Sequence, residues 1–156
     1  MKKVAIIRIR GKIGVKKEIK DTLNILRLYT QHYCVIVDNT PSITGMLKKV
    51  KDYVTWGEIN EETFKELLKT RGRLSLKNQL TEPYLKEKLN LNYDEFAKEF
   101  FSFNKSLKDI PGMKLFFKLK PPIRGYERKG IKTPFSLGGA LGYRKDNIND
   151  LIKRML

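Results

Sequence analysis

The run "VAIIRIRG", starting at Val4, constrains the fold more than any other stretch. Its apolar residues end in Arg8 and Arg10, and Gly11 and Gly14 then break the pattern before Ile19, Leu23 and Leu26 recur at helical spacing. The order read is strand, turn, helix. After Tyr29 to His32 a second run, "YCVIV", repeats the strand signal, and Thr40-Pro41 opens another helix. Ile43, Met46, Leu47, Val50 and Val54 share one face of that helix, with Lys48, Lys49, Lys51 and Asp52 largely off it. A short strand from about Val54 to Ile59 closes a β-α-β-α-β unit, and strand-helix-strand spacing taken alone implies a parallel pair.

Beyond residue 60 the pattern changes twice. "EETFKELLKTRG", "TEPYLKEKLN" and "YDEFAKEFFSF" have helical periodicity without strand signals, and Thr81-Glu82-Pro83 reads as a helix start. "GMKLFFKLK" then alternates, which sends Met113, Leu115, Phe117 and Leu119 inward and Lys114, Phe116, Lys118 and Lys120 outward, a lysine row interrupted by an aromatic that reads as a nucleic-acid platform. The segment that follows, rich in Gly, Pro, Arg, Lys and Tyr, reads as an irregular arm that gains order on a polyanion, before a closing helix from about Asp146 to Met155. The expected organisation is one domain over residues 1–156: a core (1–60), a helical insertion (61–104), and a strand, basic arm and helix (105–156).

Charge gives the first functional constraint. The 156 residues carry a net charge of +16, enough to favour a polyanionic partner over a compact free monomer. The three segments carry +7, 0 and +9, so the excess belongs to the first and last, and their convergence on one face is expected. An acidic membrane is disfavoured by the lack of a long apolar run or signal-peptide pattern, which leaves nucleic acid. The one cysteine, Cys34, lies in an apolar run and reads as a buried hydrophobe in a reducing, cytoplasmic compartment.

Candidate chemistry is sparse. His32 has no HxxxH or cysteine partner and reads as a surface histidine. Gly11-Lys12-Ile13-Gly14 is either a turn needing relaxed backbone angles or a contact to an RNA phosphate; it lacks the GK[ST] ending and the third glycine of the nucleotide-binding motifs. Asp38 is the best residue for a small phosphate-handling enzyme, yet Asp38-Asn39-Thr40-Pro41 is also what a strand-to-helix turn requires. Trp56 either fills the core or stacks on an unpaired base. No metal, cofactor, membrane or small-molecule substrate is expected.

The pairing of "VAIIRIRGKIGVKKEIKDTLNILRL" with "VIVDNTPSITGMLKKVKDYVTWGEI", followed by "DIPGMKLFFKLKPPIRGY" and "GGALGYR", closely resembles the archaeal form of the large-subunit ribosomal protein thirty family, related to the eukaryotic large-subunit ribosomal protein seven. Its most specific part is Asp38-Asn39-Thr40-Pro41, Gly45-Met46-Leu47, Val50 and Tyr53-Val54. The resemblance implies a non-catalytic rRNA-binding constituent of the large subunit, near the approach of the 5S RNA and beside other ribosomal proteins. It also implies an α+β fold, ferredoxin-like, with a three-stranded antiparallel sheet in the order 3-1-2 and both core helices on one side. Short bacterial members contain only the equivalent of residues 1 to about 60. Where many relatives carry a basic residue, this chain has Leu28-Tyr29-Thr30, so no RNA contact is expected at that corner. Phosphate contacts are expected from Arg8, Arg10, Lys12, Lys16, Lys48, Lys49, Lys51, Lys118, Lys120, Arg124, Arg128, Lys129, Lys132 and Arg144, with Tyr126 and Trp56 as stacking candidates. An RNA-binding module working off the ribosome is the alternative.

Overall fold

A computed structural model describes residues 2–75 and 77–156. The first third forms β1 (Lys3–Arg8), α1 (Lys17–Ile25), β2 (Tyr33–Asp38), α2 (Pro41–Val50) and β3 (Val54–Glu58). The insertion supplies α3 (Glu61–Arg71), α4 (Glu82–Leu89) and α5 (Tyr93–Phe101). Two short strands, β4 (Phe117–Lys118) and β5 (Gly142–Tyr143), and the closing helix α6 (Ile148–Met155) complete the chain.

β1 lies at the centre of the sheet and is antiparallel to both neighbours, pairing Lys3 with Asp38 on β2 and Arg8 with Val54 on β3. The parallel relation implied by spacing therefore exists between β2 and β3, but β1 is inserted between them. The sheet has five strands in the order β4-β2-β1-β3-β5, not three. Its inner three keep the expected 3-1-2 order, while β4 adds to β2 antiparallel and β5 adds to β3 parallel.

Both faces of the sheet are covered. Val4, Ile6, Val35 and Val54 pack with Leu23, Leu26, Leu47 and Val50 beneath α1 and α2. Ala5, Ile7, Cys34 and Ile36 face Phe64, Leu67, Phe96, Leu151 and Ile152 of α3, α5 and α6. Burial on both sides is why β1 reads as an uninterrupted apolar run instead of an alternating one. Phe64 and Phe100 stack within this second cluster at 4.4 Å.

Local chemistry fixes the helix starts. The Thr40 hydroxyl accepts from the Ile43 N–H at 3.3 Å, with Pro41 first in α2. Asn60 caps α3 through the Thr63 N–H at 2.8 Å, and Asn92 with Glu95 forms a capping box on α5.

Three boundaries differ from expectation. Val54 is not on the α2 helix face: the chain turns at residues 51–53, and Val54 begins β3. The nine-residue alternation of "GMKLFFKLK" yields only two strand residues, because the Lys114 N–H is taken by Arg73 O and the Leu119 N–H by His32 O, just past the end of β2's pairing. Met113, Phe117 and Leu119 do point inward, but Phe116 is half-buried and stacked on Tyr33 at 4.8 Å. A 3-10 turn at Lys145–Asn147 takes up the start expected for the last helix.

Gly57 and Gly45 separate two reasons for a glycine. A Cβ on Gly57 would meet the Lys145 carbonyl oxygen at 2.0 Å, whereas at Gly45, inside α2, nothing lies within 4 Å. Gly57→Ala is expected to destabilise by about 3 kcal/mol through forced separation of β3 from the segment before α6. Gly45→Ala is expected to stabilise by about 0.5–1 kcal/mol through helix propensity. Urea unfolding of the two variants measures both signs.

Candidate nucleic-acid interface

β1 ends at Arg8, β2 begins at Tyr33 and β3 begins at Val54, so residues 9–16, 26–32 and 51–53 meet at one end of the sheet. The Ile9 and Arg10 N–H groups both donate to Tyr53 O, at 2.9 and 3.2 Å, and the His32 N–H donates to Arg8 O at 2.8 Å. The third segment reaches the same end: Leu119 N–H donates to His32 O, Lys120 N–H to Met155 O, and Ile123 N–H to Arg154 O. The two basic segments therefore converge.

Lys12, Lys16, Lys48, Lys49, Lys51, Lys118, Lys120, Arg124, Arg128, Lys129 and Lys132 are all exposed. Among the described residues, Lys49 alone of these lies within ion-pair distance of a carboxylate, Glu18 at 3.9 Å. Arg10 is half-buried, its guanidinium 5.2 Å above the Tyr53 ring. Several acidic side chains pair elsewhere, as in Lys65 with Glu61 and Asp94, or Lys105 with Glu99, while Asp52 is exposed in the turn before β3. Ile13, at the tip of the loop after β1, is fully exposed between its two glycines.

Two expected phosphate ligands lie inside the protein. Arg8 is 2% exposed; its Nε donates to Arg10 O, its Nη1 to Leu28 O at 2.7 Å and its Nη2 to Gly11 O at 2.9 Å. Burial lowers the affinity of this guanidinium for its proton, and the carbonyl oxygens supply the compensating hydrogen bonds. Arg144 is equally buried: its Nε donates to the Thr55 hydroxyl at 2.8 Å, its Nη1 to Glu127 at 2.7 Å and its Nη2 to Ala140 O at 2.8 Å, beside the Phe135 ring. Both arginines organise backbone, and neither belongs to the exposed basic surface.

The stacking candidates are also engaged internally. The Tyr126 hydroxyl sits 3.1 Å from His32 Nδ1 with the two rings stacked, which pins the arm to the loop before β2. His32 is thus half-buried rather than a free surface residue, and burial lowers its pKa. Trp56 is half-buried and joins the cluster beneath α1 and α2, with its ring 6.4 Å from that of Tyr143. Sequence reasoning missed Tyr143, which is exposed and donates to Glu58 at 2.6 Å, and it placed Phe116 in the outward lysine row without its ring partners Tyr29 and Tyr33. Only the pairing of β4 with β2 brings those rings together.

The residues of the enzymatic reading are kept apart. Asp38 pairs with Lys3 Nζ at 2.6 Å, opposite the start of β1, whereas the Gly11–Gly14 loop lies beyond its other end, about 17 Å away at the usual rise per residue. Asn39 accepts from the Thr44 hydroxyl, so the Asp38–Pro41 turn serves the start of α2. Cys34 is fully buried, with its thiol pKa raised by burial. Among the described residues no group of three His, Cys, Asp or Glu is placed to hold a metal, and no helix is long and apolar enough to cross a membrane.

A sequence model of the family "Ribosomal protein L30p/L7e" matches residues 4–54. The chain is 51% identical over 152 residues to large ribosomal subunit protein uL30 of Nanoarchaeum equitans, covering 97% of both chains. It is 49% identical to uL30 of Methanopyrus kandleri over 94% of this chain and 99% of that one, and 45% identical to uL30 of Archaeoglobus fulgidus over 97% and 98%. The chain belongs to the L30p/L7e ribosomal protein family. The family segment carries Lys12, Lys16, Lys48, Lys49 and Lys51, and the match to archaeal L30p/L7e relatives extends over the arm that carries the remaining exposed cations.

Arg8→Ala is expected to cost about 3 kcal/mol, since several buried carbonyl oxygens lose their donor together. Urea unfolding measures this loss, while the salt slope of RNA binding stays unchanged in the folded fraction. Burial pushes the Tyr126 pKa up to about 12, so the neutral phenol stabilises the fold fully below the free-tyrosine value of about 10. That contribution is lost as pH rises through about 12. An alkaline absorbance titration should show two late-ionising phenols, since the hydrogen bond to Glu58 also raises Tyr143, and Tyr126→Phe should remove one of them.

Proposed function

We propose that this chain is a structural constituent of the large ribosomal subunit in the cytoplasm, and that it holds rRNA by neutralising phosphates with the basic end of its sheet. The observation that carries this reading is the convergence of exposed lysines and arginines from residues 12–16, 48–51 and 118–132, largely unpaired among the described residues. The names of the archaeal relatives support the ribosomal setting. Lys12, Lys16, Lys48, Lys49, Lys51, Lys118, Lys120, Arg124, Arg128, Lys129 and Lys132 are the phosphate ligands, with Arg10 held beside them on Tyr53. Contacts of this kind position a folded RNA more than they read its sequence.

The reading assigns no catalysis. It treats residues 1–156 as one domain, with 61–104 as an insertion and 105–156 as the second basic part. It places the protein where the large rRNA approaches the 5S RNA, next to other ribosomal proteins. A module acting off the ribosome is distinguished by sedimentation, since a subunit constituent travels with large subunits.

If six to ten phosphates are neutralised, affinity for large-subunit RNA should fall by about 10³ to 10⁵ between 50 and 200 mM salt. Replacing Lys48, Lys49 and Lys51 together by glutamine should lower the slope of log affinity against log salt by about 3. A slope indifferent to both changes would sink the reading.

A further inference from the structure

Beside the outer edge of β4 lies a cleft of about 380 Å³, within the roughly 300–1,000 Å³ range of small-ligand sites. We infer that this cleft takes a single unpaired nucleotide of RNA, its base against Phe116 and its phosphates among the surrounding cations. The inference rests on the rRNA-binding reading above and adds a local site to it.

The cleft is cationic from two sides. Arg71 and Arg73 come from the end of α3 and the loop after it, in the segment of zero net charge, and Lys114, Lys118 and Lys120 come from the third segment. Among the described residues no carboxylate lines it. The Arg71 pKa is lowered first by burial and then by the neighbouring positive charge of Arg73. The walls are fixed in advance by the Lys114 N–H bond to Arg73 O, the Lys120 N–H bond to Met155 O and the Arg71 side-chain bond to Leu156 O.

Charge alone would suit a duplex backbone or an acidic peptide, but the aromatic lining favours a base. Tyr33 and Phe116 are stacked at 4.8 Å and 13°, and Tyr29 meets Phe116 edge-on at 5.8 Å, so the platform is rigid and half-exposed. Lys114 Nζ lies over the Phe116 ring at 5.7 Å, so a base that stacks there takes the place of the ammonium, which a swing of its flexible stem carries to the phosphate. A duplex keeps its bases within the stack and cannot use this platform, and a carboxylate gains nothing from it.

The test uses the full chain, a short oligouridylate and a blunt RNA duplex, with binding followed by fluorescence anisotropy at one salt concentration. Phe116→Leu should weaken oligouridylate binding about tenfold and leave duplex binding unchanged. Photocrosslinking of a thiouridine-substituted oligonucleotide should place the adduct on Tyr33 or Phe116. Should Phe116→Leu fail to fold, Lys114→Gln must show the same selective loss. Equal losses for both RNAs, or none, overturn the inference. So does displacement of oligouridylate by polyglutamate with Phe116→Leu behaving as wild type, which would give the cleft to an acidic protein segment. A wild-type chain that binds the duplex but not oligouridylate overturns the cleft alone; one that binds neither overturns the rRNA reading with it.

Discussion

The basic end of the molecule depends on a positive charge that has been taken out of water. Among the described residues Arg8 has no carboxylate partner; its guanidinium is held by carbonyl oxygens of Arg10, Gly11 and Leu28. A planar fork of donors suits this task, and a lysine ammonium would reach fewer acceptors. One side chain thereby ties the loop after β1 to the loop before β2, and those loops present Lys12 and Lys16 to solvent. Arg144 does the same for the arm, joining β3, Glu127 and Ala140. Two buried arginines hold the surface on which the exposed cations repel one another, while screening over about 10 Å keeps that repulsion local.

The insertion keeps the charge asymmetric. Several of its carboxylates are held in pairs such as Lys65 with Glu61 and Asp94, or Lys86 with Glu82, and among the described residues none lies within ion-pair distance of the lysines at the basic end. The potential of the molecule is thus concentrated at one end, which orients an approaching polyanion before any contact forms.

How much of this was legible in the sequence depends on whether the signal was local. The central run of β1, the Thr40-Pro41 cap and the three insertion helices follow from spacing and capping chemistry within a few residues. β5 did not, because two residues beginning with a glycine carry no strand pattern, and the pairing of Thr55 with Gly142 and Trp56 with Tyr143 is set by the Arg144 network. Arg8 and Arg144 were misread as surface ligands because a charge count treats every cation as exposed. For Arg8 a signal existed: it sits between Ile7 and Ile9 in a run apolar at both parities, and such a strand has no solvent-facing side. Arg144 had no such local mark, since its acceptors lie on Thr55, Glu127 and Ala140, the first of them far off in sequence. The exposed lysines were legible as charges and their convergence was expected from the charge split, but its place at one end of the sheet was not legible, because it rests on pairings such as Tyr33 with Lys118.

The family segment, residues 4–54, covers one face of its sheet with α1 and α2 and leaves Ala5, Ile7, Cys34 and Ile36 on the other. In this chain α3, α5 and α6 bury that second face, so the insertion has a packing role before any other. Covering the face also dictates where α3 must end. It starts beside the end of β3 with Glu61 and Glu62 in its first turn and finishes with Lys69 and Arg71 in its last, the order that its own dipole favours. The helix is therefore polarised along the sheet, with Glu61 and Glu62 at the far end and Arg71 beside β4. The helix that completes the hydrophobic core is the one that carries Arg71 to the basic end, and packing and charge placement are here set by the same element.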